Sequence, residues 1–175
     1  MQLKNSKYCF LISLAALFML PGCGIGSDSE DSKRSQTEST AATKNIKVIN
    51  VLDPELYSDA HIDGSINIEF GKVVDTAKSE NWNKDTKIVL YCSNYMCSAS
   101  GEEARKLKDL GYTDVAVYEG GMAQWYTLSQ NDPSYKVVGQ AKQEYLNLPN
   151  EKPAKVGEAD ILEITAQELK DILAK

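Results

Sequence analysis

The segment Lys87-Ile88-Val89-Leu90-Tyr91-Cys92 constrains the chain most, because an apolar run leads straight into the short polar loop Ser93-Asn94-Tyr95-Met96-Cys97. An apolar run of that length fits a strand buried on both faces. A helix opens directly afterwards, near Ser98 to Ser100, with an inward face marked by Ala104, Leu107 and Leu110. Ser100 and Glu103 are spaced as a capping box, and Gly111 marks the stop. A buried strand that turns at once into a helix is the unit of a parallel sheet, whose neighbouring strands need crossover connections.

Other segments repeat that unit. Ile46 to Val51 concentrates β-branched residues as buried strands do, and Val115-Ala116-Val117-Tyr118 is a second such run. Ser65-Ile66-Asn67-Ile68 is a shorter one. Between them, Pro54 to about Ser58 reads as one helical turn, with Asp53 as N-cap and Pro54 at the first helical position. Gly71 to Trp82 reads as a helix or a broken pair of turns. Strands alternating with helices at this spacing predict an α/β domain, a parallel β-sheet flanked by helices on both faces, with reactive loops at the carboxyl ends of the strands. After Trp125 the pattern weakens. Thr165-Ala166-Gln167-Glu168 is a capping box for a last helix to about Leu173, in a C-terminal helical extension over 131–175 that either packs on the domain or docks a partner.

The chain has 175 residues, 42% of them hydrophobic, enough for one core and a small appendage. Its first residues belong to targeting. Lys4 and Lys7 precede an uncharged apolar run, Tyr8 to Leu20, too short to span a bilayer comfortably, and residues 1–22 read as a secretory signal. The run ends in Leu20-Pro21-Gly22-Cys23, which resembles the lipobox of bacterial lipoproteins. That resemblance implies lipid on Cys23 and an extracytoplasmic protein held to a membrane by acyl chains, on the periplasmic face of the outer membrane if the organism has two. Residues 24–44 are Ser, Thr, Asp, Glu, Lys and Ala with little apolar content, a tether leading to a domain over 45–130. The full chain carries 19 Lys and Arg against 25 Asp and Glu; loss of the two leader lysines leaves 17 against 25, about −8. No basic patch for nucleic acid appears.

With Cys9 in the leader and Cys23 at the anchor, Cys92 and Cys97 are the folded region's two thiols. Peptide N–H groups of the loop and of the helix start can turn inward toward Cys92 Sγ, and aligned amides at a helix N-terminus stabilise a thiolate or persulfide. Cys97 either resolves a persulfide on Cys92, forms a reversible disulfide with it, or is an inert thiol. One His and two Cys in a tight loop do not make a closed four-ligand zinc site, and no nucleotide-binding glycine motif occurs, so no cofactor is implied.

The stretch Val48 to Ile68, with Tyr57, His61-Ile62, Gly64 and Ile66-Asn67-Ile68, resembles the opening of a rhodanese domain. The resemblance continues through Tyr91-Cys92, the loop to Ser98, Gly111-Tyr112, and Glu119-Gly120-Gly121-Met122 through Trp125, so that it covers about residues 45 to 130. It implies a single rhodanese-like domain and a sulfurtransferase, in which the Cys92 thiolate takes a sulfane sulfur from a small donor and passes it to a thiol acceptor, small or on another exported protein. The same resemblance assigns His61 a structural slot. Many members carry an Arg directly after the Cys and another at the loop's end. This loop has neither, which makes thiosulfate a doubtful donor, and Asn50 and Leu52 stand where Asp and Arg are common.

Two further readings stand beside transfer: thiol–disulfide exchange through Cys92 and Cys97, and a rhodanese-like module that binds a partner without turnover. Gly120 and Gly121 either shape the pocket wall or are simple turn glycines, and Tyr95, Met96 and Trp125 are candidates for an apolar rim.

Overall fold

The computed structural model describes residues 45–153 and 161–175. The leader, the Cys23 anchor and the tether assigned to residues 1–44 lie outside the described residues. Five strands form one parallel sheet in the order β3-β1-β4-β5-β7: β1 (Ile46–Asn50), β3 (Ile66–Asn67), β4 (Lys87–Tyr91), β5 (Val115–Tyr118) and β7 (Leu162–Glu163). β4 is central, with Val48 of β1 opposite Val89 and Leu90 opposite Val117 of β5.

Side chains alternate across the sheet and sort into two cores. Ile49, Ile88, Leu90, Cys92, Val115 and Val117 face one layer, covered by α2 (Val73–Ser79) and α3 (Ala99–Asp109) through Val73, Ala77, Ala104 and Leu107. Val48, Val89, Tyr91, Ala116 and Tyr118 face the other. Met122 and Trp125 of α4 (Gly121–Ser129), Leu146, and Ala166 and Leu169 of α5 (Ala166–Leu173) close that second face. Helical cover on both faces explains why Ile88 to Tyr91 of β4 and Val115 to Tyr118 of β5 are apolar and buried at every position, as expected for a doubly covered parallel sheet.

The short helix α1 (Pro54–Asp59) leads into β2 (Ala60–Ile62), which pairs antiparallel with β6 (Val137–Gly139) in a separate two-stranded sheet. Strands of three residues carry no readable period, and their pairing spans most of the domain, so neither is visible in the sequence. The same holds for β7, so the C-terminal extension carries two short strands besides its terminal helix. Residues 131–175 supply β6, the edge strand β7 beside β5, and a helix whose Leu169 is wholly buried in the core.

The two expected capping boxes part ways. At α5 the Thr165 hydroxyl accepts from the Glu168 N–H (3.2 Å), and the Glu168 carboxylate accepts from the Thr165 N–H (2.7 Å). At α3 the box is not formed. The helix begins at Ala99 after Ser98, whose hydroxyl donates to Glu102 Oε1 (2.7 Å), so Ser100 and Glu103 already sit inside the first turns and are buried. Glu103 Oε1 there accepts from the Gly71 N–H (3.1 Å) and from Lys106 Nζ (2.7 Å), tying α3 to the loop before α2.

Candidate active site

Cys92 directly follows β4 and is 1% exposed. Its side chain joins the core layer of α2 and α3, close to where α3 begins, and Leu52, Cys97 and Ala99 pack in the same layer half-buried. The Cys92 and Ser93 carbonyls accept from the Met122 and Ala123 N–H groups, both at 2.9 Å. The first turn of α4 therefore holds the start of the loop by its backbone. That contact requires glycine at 121, where φ is +60° and a Cβ would lie 2.6 Å from Cys92 O and 2.7 Å from Asn94 N. Close backbone approach to the loop is thus a role of this glycine beyond the pocket-wall and turn readings.

The remainder of the loop folds back on itself. Asn94 Oδ1 accepts from the Met96 N–H (3.0 Å) and Asn94 O accepts from the Cys97 N–H (3.1 Å), a turn reinforced by its own asparagine. Asn150, far along the chain, braces the outside: its Oδ1 accepts from the Tyr95 N–H (3.1 Å) and its Nδ2 donates to Gly120 O (3.0 Å). Three loop N–H groups are thus engaged away from the sulfur, which departs from the expectation that the loop amides converge on Cys92 Sγ. No local sequence signal marks Asn150. Its partners lie 55 and 30 residues away.

The turn carries Cys97 onto Cys92, and the two form a disulfide with Cα atoms 6.4 Å apart, within the ordinary disulfide range. Cys92 Sγ also stands 3.4 Å from Cys97 O. Cys97 is half-buried and Met96, at the tip, is 80% exposed. Tyr95 is half-buried on the loop surface. Trp125 does not join them: it is a core residue whose indole N–H donates to Lys136 O (3.0 Å) and whose ring meets Tyr118 and Tyr135 edge-on. Its volume suits the space between α4 and the β2–β6 pair better than a wet rim.

Behind the loop, on the opposite face of the sheet, a polar cluster fixes the end of β4. The Tyr91 hydroxyl accepts from the Ile62 N–H (3.1 Å) and shares a hydrogen bond with Ser65 Oγ (2.9 Å); the Ser65 hydroxyl lies 2.7 Å from Ile62 O. Burial pushes the Tyr91 pKa up to about 12, with the bonds to Ser65 and Ile62 opposing the shift. His61 sits on β2, stacked on Tyr57 at 3.9 Å with Nδ1 2.8 Å from Tyr57 O, while the Tyr57 hydroxyl donates to Ser65 O. The end of β1 is closed by amides: Asn50 Oδ1 accepts from the Leu52 N–H (2.8 Å), and Asn67 Nδ2 donates to Leu52 O (2.8 Å).

A buried sulfur at the carboxyl end of a central parallel strand, bonded to a second sulfur just ahead of α3, occupies the strand–loop–helix position where α/β domains gather their reactive loops. Residues 34–128 match the model of the rhodanese-like domain, and the chain belongs to that family. It is similar to the thiosulfate sulfurtransferase GlpE of Pseudomonas paraeruginosa, 28% identical over 88 residues that make up 50% of this chain and 76% of that protein. Among solved structures it resembles the BH2092 protein of Bacillus halodurans (30% identity, 57% of this chain and 67% of that one, TM-score 0.46). A thiosulfate sulfurtransferase from Pseudomonas aeruginosa is also similar (21% identity, 55% of this chain and 17% of that one, TM-score 0.47).

Proposed function

We propose that the chain is a sulfurtransferase-type enzyme in which Cys92 takes a sulfane sulfur from a donor, holds it as a persulfide and passes it to a thiophilic acceptor. The observation that carries this reading is the placement of Cys92: buried, at the end of the central strand, against the start of α3. Aligned amides at a helix start favour an anion placed near them, and the anion is the form in which sulfur acts as nucleophile. Family membership and the sulfurtransferase relative support the same chemistry.

The loop Ser93 to Ser98 carries no Arg or Lys. A dianionic donor such as thiosulfate meets no charge-assisted contact from the loop, a loss of about 1.5–3 kcal/mol against loops that have one. Persulfides and polysulfides, which carry no sulfonate oxyanion for a cation to grip, are the donors that suit it. The lipobox-like Leu20-Pro21-Gly22-Cys23 supports an extracytoplasmic, membrane-tethered location, where a donor and a thiol acceptor would be met outside the cytoplasm.

A second reading, thiol–disulfide exchange with another exported protein, is favoured by the Cys92–Cys97 disulfide. Steady-state transfer to cyanide by pre-reduced Cys97→Ser protein, in which no disulfide with Cys92 can close, separates the two. Transfer is expected with glutathione persulfide as donor, with kcat/KM for thiosulfate roughly tenfold to a hundredfold lower. Cys92→Ala abolishes both. Absence of transfer from every donor, together with a defined two-electron potential, would replace sulfur transfer by redox exchange.

A further inference from the structure

We infer that Cys97 resolves the Cys92 persulfide within the loop, expelling hydrosulfide and closing the disulfide, so that the protein reduces sulfane sulfur with electrons from a dithiol. This rests on Cys92 carrying the persulfide, and it adds a reaction that the transfer scheme lacks.

Three observations carry it. The first is reach: the two sulfurs are bonded, so the atom that Cys97 Sγ meets is Cys92 Sγ, the inner sulfur of a persulfide formed there. The second is that the approach does not depend on the disulfide. The turn that returns Cys97 is closed by the Asn94 carbonyl and side chain, and the Cys92 end is fixed by Met122 and Ala123 of α4. None of those bonds involves a sulfur, so reduction of the disulfide breaks none of them. The third is the engagement of the Tyr95, Met96 and Cys97 N–H groups with Asn150 and Asn94. Amides committed elsewhere stabilise a persulfide anion less, which shortens its life relative to a loop whose amides all face the sulfur.

The steps balance. Cys92 thiolate attacks the terminal sulfur of a donor persulfide, forming a new S–S bond and releasing the donor as its thiolate. Cys97 thiolate then attacks Cys92 Sγ, the bond to the terminal sulfur breaks, and hydrosulfide departs with the electron pair. The disulfide so formed is reopened by an exported protein or small molecule bearing two thiols. Exposure directs that attack: Cys92 is 1% exposed whereas Cys97 is half-buried, so the reductant thiolate meets Cys97 Sγ and Cys92 leaves as the thiolate. The dithiol's second thiol closes its own disulfide, and two electrons have passed to the sulfane sulfur.

Full-length wild type, Cys97→Ser, Cys97→Ala and Cys92→Ala are reduced, freed of reductant and mixed anaerobically with glutathione persulfide, with hydrosulfide and intact mass followed together. Wild type is expected to release about one equivalent of hydrosulfide per chain above the Cys92→Ala background and to end about 2 Da lighter than its reduced form. Both Cys97 variants are expected to gain about 32 Da and to release hydrosulfide at least roughly tenfold more slowly. Wild type that holds the added sulfur as long as the Cys97 variants do would overturn the inference and leave the Cys92 persulfide standing. Failure of wild type and both Cys97 variants to take up sulfur would remove the persulfide itself, and the inference with it.

Discussion

Gly121 and Cys92 are coupled residue to residue, since the α4 start fits against the loop only without a Cβ. Gly121→Ala adds a left-handed non-glycine residue, about 1–2 kcal/mol, to an overlap with the Cys92 carbonyl. Urea unfolding should show a loss of at least about 2 kcal/mol, and the surviving folded protein should be slow to take up sulfur because its loop is displaced. Tyr91 gives a prediction on the alkaline side. Its folded pKa of about 12 lies above its ordinary 10.0, so the neutral hydroxyl favours the fold. That contribution is whole below pH 10 and is lost as pH rises toward 12, on the order of 2–3 kcal/mol. Burial also raises Tyr118 and Tyr145, which act in the same direction. A melting temperature that stays flat from pH 9 to 12 would contradict the burial of these hydroxyls, and Tyr91→Phe should shallow the decline. Single residues were unevenly legible in the sequence. Cys92 and Cys97 stand out by type and position, whereas Asn150 acts through contacts that no local pattern encodes.

At the scale of elements, α5 shows what a cap contributes. The Glu168 carboxyl is held below the usual glutamate range, first by the Thr165 N–H and then by the Thr165 hydroxyl. A depressed folded pKa gives stability that is present above the unfolded value and is lost as pH falls through the folded one. Wild type should therefore lose melting temperature on acidification more steeply than Glu168→Gln, and parallel slopes would exclude the carboxylate as a cap. Leu169→Ala, on the same helix, should cost about 2–5 kcal/mol by opening a cavity in the core. The elements legible in the sequence are those with local signals: β1, β4 and β5 as apolar runs, α3 as a periodic face, and α5 by its capping box. The α3 box failed because Ser98 opens the helix two residues earlier, leaving the Ser100 and Glu103 pair to face inward. β2, β6 and β7 were illegible because their pairing, not their composition, makes them strands.

For the whole molecule, the segment after residue 130 is part of the fold that presents the loop. It closes one core face with Leu146, Ile164 and Leu169, covers the β5 edge with β7, and sends Asn150 to the loop. A chain ending at Pro153 should expose that edge and the apolar face beneath α5, and so be prone to association. Retained solubility and an unchanged melting temperature would show that the extension is dispensable. The central claim is that Cys92 is the sulfur that takes the load. It is tested most directly by the intact mass of reduced full-length Cys97→Ala, and of the same chain with Cys92→Ala, after exposure to thiosulfate, polysulfide and glutathione persulfide. The account predicts a gain of about 32 Da in the chain that keeps Cys92, largest with the persulfide donors, and no gain once Cys92 is replaced. No gain from any donor, or a gain that survives the loss of Cys92, would contradict it.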